Sequence, residues 1–229
     1  VWLSQALVVV IWLIIGYLVG SLPTAYLAGK YIRGIDIREH GSGNVGGANV
    51  LSQVSKWAFL PVVLTDVAKA LVPTLLALRY ADTGWAAMAA GTGAVAGHCW
   101  SLYLAFTGGR GMAAALGALL PVYHWGVVWI IVVHFLAAAF GLAALGDVIA
   151  LVGLPLLALL LGLPASVVAT AVAILLLVVG KRLHANHLPL PTDPLARRTV
   201  LMRRLLYDRD VAPGEPWTER TDINDKRPS

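Results

Sequence analysis

The stretch Glu39–Asn49, EHGSGNVGGAN, combines glycine, serine and asparagine in a pattern suited to an oxyanion. Gly41, Gly43 and Gly46 let backbone N–H groups converge into an anion-binding nest. Ser42, Asn44 and Asn49 can add side-chain hydrogen bonds. A helix starting near Val45 would turn its positive end toward the same anion. No G-K-[ST] ending follows, so this is not a Walker loop. The alternative is a flexible turn of small residues. A second glycine-rich stretch, TGGRG at Thr107–Gly111, sets Arg110 among Gly108, Gly109 and Gly111. A guanidinium forks onto two phosphate oxygens; the alternative is an arginine that only marks a cytoplasmic loop. Two such loops, one with a cation, favour phosphate more than either alone.

Asp66 and Lys69 are three residues apart, hence on one helical face. They sit inside an apolar run, where ionisable groups face a cavity or a partner; a mutually neutralised structural pair is the competing reading. His98 and Ser101, in GHCWS, stand at the end of another apolar run, where a lone histidine is more often packed than catalytic. His184 and His187 form an HxxH pair with no accompanying cysteine or carboxylate cluster, so no metal is expected. His124 and His134 have no polar grouping nearby and receive no role. No Ser-His-Asp spacing or nucleophile elbow occurs, and no cofactor is implied.

The elements that must position these residues are membrane helices. Apolar residues make up 59% of the chain and charged ones 13%, beyond the usual soluble range. The sequence predicts an all-α integral membrane protein with seven transmembrane helices, the Gly-rich loops joining them on the cytoplasmic side. The helices run from about Leu3 to Tyr31, kinked near Pro23, then Trp57 to Leu78 and Gly84 to about Leu104. Four more divide the stretch Met112–Gly180 at PVYHW, GLAALGD and GLPAS. The opening apolar run lacks a basic flank and a cleavage site, so it reads as a retained helix. One cysteine, Cys99, excludes an internal disulfide.

Basic residues set the orientation. Lys30, Arg33, Arg38 and Lys56 lie between helices one and two, Arg110 after helix three, and ten more Lys or Arg from Lys181 onward. With seven spans all fall on one side, which places the N-terminus outside and the C-terminus in the cytoplasm. Residues 1–182 form the membrane domain, and 183–229 a cytoplasmic basic tail. In the tail LARRTVLMRRLLY suits an amphipathic helix on anionic membrane lipid; packing on its own bundle is the equal alternative. Disorder is expected from Ala212 on. The net charge of +5 points to lipid and not to nucleic acid.

Taken in order, GSLPTAYLAGK, GIDIREHGSGNVGGAN, DVAKA, GHCWS and FTGGRG resemble the motifs of the bacterial acyl-phosphate–glycerol-3-phosphate acyltransferases, the PlsY-type membrane enzymes. The likeness covers about the first 120 residues well, and the rest by helix count. It implies seven helices, an external N-terminus and a cytoplasmic active site in the bacterial cell membrane. The reaction it implies belongs to phospholipid biosynthesis: an acyl group passes from acyl phosphate to the 1-hydroxyl of glycerol 3-phosphate, giving lysophosphatidic acid and phosphate. Ser42, Asn44 and Asn49, with Gly41, Gly43 and Gly46, would then position phosphate and hydroxyl. Arg110, Gly108, Gly109 and Gly111 would bind the donor phosphate. Asp66, Lys69, His98 and Ser101 would shape the pocket, with His184 a further catalytic candidate.

The chain also departs from the family pattern. The first motif usually reads G-S-G-N-x-G-A-T-N, then two residues and an arginine. Gly47 and Ala48 replace Ala-Thr, and Ser52 replaces the arginine. Ala70 ends the D-x-x-K-G motif, Arg110 stands for the usual lysine, and Ala144 and Asp147 stand at serine positions. The usual histidine and asparagine, three apart, match either His184 with His187 or Leu183 with Asn186. Losing one phosphate-bound cation removes a charge-assisted hydrogen bond worth about 1.5–3 kcal/mol. The alternatives are therefore another acceptor, or a non-catalytic lipid-binding or transport paralogue.

Overall fold

A computed structural model describes residues 2–210. Among them every regular element is a helix: α1 (Trp2–Gly20), α2 (Thr24–Ala28), α3 (Gly47–Gln53), α4 (Lys56–Tyr80), α5 (Gly84–Cys99), α6 (Met112–Leu119), α7 (His124–Ala139), α8 (Ala143–Leu160), α9 (Ala165–His184) and α10 (Pro194–Tyr207). Four segments are long and apolar enough to cross a membrane: Ser4–Arg33, Lys56–Tyr80, Ala143–Leu160 and Ala165–His184. The eight residues of α6 rise only about 12 Å, well short of a bilayer's apolar thickness.

The first long segment is not one helix. Pro23 lacks an N–H and ends α1, so Leu22 closes a tighter turn onto the Val19 carbonyl at 3.2 Å. After α2 the chain makes a π turn over Gly29–Arg33 and stops at Gly34, whose φ of +70° suits a glycine cap. The third apolar run ends at Cys99, five residues before the expected Leu104. Ser101 leaves the helix because its N–H donates to the Thr107 carbonyl at 3.1 Å, which starts the second glycine loop. The other divisions fall at the three turn sequences: Leu120–Tyr123, Phe140–Leu142 and Leu161–Pro164 separate α6 through α9.

Small residues let these helices approach closely. Gly16 and Gly20 of α1 rest on the main chain of Ala90 and Ala94 in α5, while Gly93 and Gly97 of α5 rest on α1 at Leu13 and Tyr17. A side chain at these glycines would overlap backbone, which cannot swing aside. We expect Gly97→Val to cost about 2 kcal/mol, read as a lower unfolding temperature of the detergent-purified protein. Gly141→Ala, which meets nothing within 4 Å, carries only the strain of its positive φ. Equal stability of the two variants would remove close α1–α5 packing as a determinant of the fold.

The core lies where α5, α6, α8 and α9 meet, around the fully buried Val95, Ala114, Leu119, Leu151, Leu154 and Ile174. Outward-facing Leu64, Phe135, Leu159 and Leu176 are more than half exposed, an apolar belt that water would disfavour and lipid would not. The turns at 81–83, 121–123 and 161–164 gather at one end, where Leu78, Gly84, Pro121, Pro164 and Ser166 line a shared cavity. Both glycine loops and α10 lie at the other.

α10 starts with Asp193, whose side chain accepts the Ala196 N–H at 2.7 Å, and Pro194 follows in the first turn. Its second half packs on the bundle: Arg204 is 2% exposed and donates to the Leu183 and Leu188 carbonyls at 3.0 and 3.2 Å. Its first half, with Leu195, Arg197 and Arg198, is exposed. The boundary expected after residue 182 falls inside the last turn of α9, and the expectation of disorder from Ala212 lies outside the described residues.

Candidate functional site

The first glycine loop is built around Asn49. Its amide nitrogen lies 3.1, 3.0 and 3.1 Å from the carbonyls of Ile37, His40 and Asn44, and its oxygen accepts the Ser42 N–H at 3.3 Å. At 2% exposure this side chain serves as the frame on which the loop folds. Gly41 and Gly43 take φ of +55° and +64°, the left-handed region that a side chain disfavours. The Ser42 hydroxyl accepts the Asn44 N–H at 3.3 Å. The Asn44 side-chain oxygen is buried with no hydrogen-bond partner among the described residues. Gly46 caps α3, which begins at Gly47, two residues later than the helix expected near Val45. At the flank Arg38 pairs with Asp36 at 2.6 Å, and its guanidinium holds the Asp36 carboxyl below the usual range.

The second loop lies against the first. The Gly109 N–H donates to the His98 carbonyl at 3.0 Å, and a Cβ on Gly109 would strike the His98 ring and crowd the Val45 carbonyl. Gly111, at φ +88°, opens α6. Asn186 ties the two loops together, with its oxygen accepting the Gly108 N–H at 3.2 Å. Its nitrogen donates to the carbonyls of Gly108 at 3.0 Å and Gly43 at 3.5 Å. Of the two sequence alternatives after α9, the asparagine that reaches the loops is Asn186. His184 stands beside Trp100, ring centroids 6.2 Å apart; the side chain of His187 lies outside the described residues.

Beneath the loops, Asp66 and Lys69 pair at 2.9 Å, both almost fully buried. Lys69 also donates to the Leu22 carbonyl at 3.0 Å, and the Thr24 hydroxyl donates to Asp66 at 2.6 Å. The pair thereby satisfies the backbone and side chains at the α1–α2 break. His98 faces Asp66 at 3.5 Å through Nδ1 and packs against Gly109 on its other side, so it connects this network to the loop. The Ser101 hydroxyl donates to the Ser21 carbonyl at 2.6 Å, which fixes the loop's root to the end of α1.

The cations at this end show what sequence spacing concealed. Arg110 donates to the Lys181 carbonyl at 3.3 Å and pairs through Nε with Asp208, the residue that ends α10, at 2.6 Å. The Lys181 side chain is fully buried. Arg182 bonds the Ala144 and Leu205 carbonyls at 2.9 and 3.0 Å and meets Asp147 at 3.3 Å. His134, which the sequence left without a role, pairs with that same Asp147 at 2.7 Å. The turn at Phe140–Leu142 folds α7 back on α8 and makes neighbours of residues 13 apart.

A family model described as glycerol-3-phosphate acyltransferase matches residues 10–188. A glycerol-3-phosphate acyltransferase of Parasynechococcus marenigrum (strain WH8102) is 39% identical over 185 residues, covering 80% of this chain and 87% of its own length. One from Synechococcus sp. (strain CC9605) is 37% identical over 194 residues, covering 84% and 96%. Among solved structures, the glycerol 3-phosphate form of PlsY, an integral membrane glycerol 3-phosphate acyltransferase, superposes with a TM-score of 0.69 at 27% identity. It covers 78% of this chain and 88% of PlsY. The lysophosphatidic acid form gives 0.67 at the same identity, covering 76% and 87%. With the match running from within α1 through α9 and including both glycine loops, this chain belongs to the glycerol-3-phosphate acyltransferase family.

Proposed function

We propose that this protein transfers a fatty acyl group from acyl phosphate to the 1-hydroxyl of glycerol 3-phosphate. The hydroxyl oxygen attacks the acyl carbon, the bond from that carbon to the phosphate oxygen breaks, and lysophosphatidic acid and phosphate leave. The departing phosphate takes the hydroxyl proton, so positioning and charge stabilisation carry the chemistry. The observation behind this reading is the joining of the two glycine loops through Asn186 with Arg110 at their edge. The similar PlsY structures, described with glycerol 3-phosphate and lysophosphatidic acid, support the acceptor and product.

In this reading Arg110 and the Gly108–Gly111 main chain hold the donor phosphate. Ser42 and the unpartnered oxygen of Asn44 receive the glycerol hydroxyls. Asn49, Asp66, Lys69, His98 and Ser101 hold the loops in place. The chain passes between the two faces seven times, with α6 as a short helix buried within the bundle. The glycine loops face the cytoplasm, which the clustering of Lys and Arg at that end supports. The exposed Leu195, Arg197 and Arg198 of α10 lie toward anionic lipid, as part of a basic tail over 183–229.

A different acceptor is the second reading, favoured by one observation. Ala48 and Ser52 stand exposed on α3, where the family pattern has threonine and arginine. A panel of acceptors offered with acyl phosphate, scored by phosphate release, separates the two: release dependent on glycerol 3-phosphate upholds the first, and release only with another acceptor replaces it. Asp208 occupies the Arg110 guanidinium, so a phosphate must displace it. We expect Asp208→Asn to tighten inhibition by product phosphate about threefold. Unchanged or weaker inhibition would show that the carboxylate does not compete.

A further inference from the structure

Lys181 lies in the last turn of α9, where a lysine ordinarily extends its stem and places its ammonium in water. Here the residue is 0% exposed. Its Nζ has no hydrogen-bond partner among the described residues and sits 5.1 Å from the centroid of the Trp100 ring. A purely structural buried cation is paired, because an unpaired one is strongly destabilising. The other buried cations obey that rule: Lys69 has Asp66, Arg182 has Asp147, and Arg204 has Asp210.

Arg110 is a close neighbour, donating to the main-chain carbonyl of Lys181 itself. Burial gathers two like charges at one place, and Asp208 balances only Arg110. The remaining positive charge calls for an anion that brings more than Asp208 takes away. An acyl phosphate dianion does this: it displaces one carboxylate and balances both cations. The first motif meanwhile has Ser52 where the family pattern has an arginine.

We propose that Lys181 is the second cation of the phosphate site, binding the phosphate of the acyl donor together with Arg110 and replacing from α9 the charge absent from α3. This rests on the reading of the glycine loops as the donor-phosphate site. Trp100 forms one wall over the ammonium, and entry of the phosphate requires Asp208 to withdraw with the end of α10.

The test uses the full chain purified in detergent, titrated with inorganic phosphate, as wild type, Lys181→Met and Lys181→Arg. Lys181→Met is expected to weaken phosphate binding about tenfold or more and to raise KM for acyl phosphate in proportion. Its kcat should fall as well, because charge grows on the leaving phosphate, while KM for glycerol 3-phosphate stays near wild type and Lys181→Arg recovers most of the loss. A folded Lys181→Met protein that binds phosphate like wild type overturns the proposal. If that variant does not accumulate, a crystal structure of the wild type with phosphate decides, by whether the ion lies within hydrogen-bond distance of Nζ. Phosphate at Lys181 without lysophosphatidic acid formation keeps the site and removes the proposed reaction. Turnover with phosphate bound elsewhere does the reverse.

Discussion

Replacing Arg110 with glutamine is expected to lower kcat/KM for acyl phosphate by about 10³-fold, equivalent to about 4 kcal/mol of transition-state stabilisation. A guanidinium that forks onto a phosphate makes two charge-assisted hydrogen bonds, each worth about 1.5–3 kcal/mol when desolvated. The site meets that condition: the Arg110 side chain is 14% exposed and set between the second glycine loop, the Lys181 carbonyl and Asp208. In the proposed reaction charge on the leaving phosphate grows as the acyl bond breaks, so the loss should fall on kcat as well as KM. Arg110→Lys restores the family's usual residue and the charge, and should keep activity within about tenfold of wild type. Steady-state rates with palmitoyl phosphate measure both. A fully active Arg110→Gln protein would remove this residue from the donor site.

Asn186→Ala is the second large effect, expected at about 10²-fold in kcat/KM. The mechanism differs, because Asn186 acts by holding the loops together. Its removal strips a partner from the Gly108 N–H and from the carbonyls of Gly108 and Gly43, and unpaired buried backbone groups cost about 1–3 kcal/mol each. The loops would separate to find water, and a displacement of about 1 Å is enough to lose two orders of magnitude in rate. Asn186→Asp keeps the acceptor for Gly108 but turns a carboxylate oxygen onto the carbonyls of Gly108 and Gly43, and should lose at least as much as alanine. His184→Ala, a change beside Trp100, should cost less than about tenfold. If His184→Ala is the more damaging, the histidine holds the site and the asparagine does not.

These contrasts mark how far the sequence can be read. The two glycine loops were legible because each is a local, contiguous pattern, and Gly41, Gly43 and Gly111 meet the left-handed geometry that glycine favours. The Asp66–Lys69 pair was legible because a helical spacing of three makes neighbours without knowledge of the fold. Asn186 was visible only as one of two alignments, since its partners lie 78 and 143 residues away. The His134–Asp147 pair and the Arg110–Asp208 contact were hidden for the same reason: each depends on a turn or on the return of α10. The end of the third apolar run was misplaced because Leu102–Leu104 continues the apolar pattern while its backbone turns to 3₁₀ geometry. Asn49 looked like a substrate ligand by type, yet its hydrogen bonds are spent inside its own loop.

The departures at Ala48 and Ser52 acquire a physical meaning in this setting. Both positions are exposed on α3 beside the first loop, so restoring threonine and arginine there would not disturb the core. A sharp gain in glycerol 3-phosphate turnover on restoration would show that the absence of those groups limits the reaction.

The proposed reaction is measured most directly by its product. Purified wild-type protein given palmitoyl phosphate and glycerol 3-phosphate should yield lysophosphatidic acid, identified by mass spectrometry, with one phosphate released for each molecule formed. Folded protein that binds glycerol 3-phosphate yet forms no lysophosphatidic acid, or releases phosphate at the same rate without an acceptor, would contradict it.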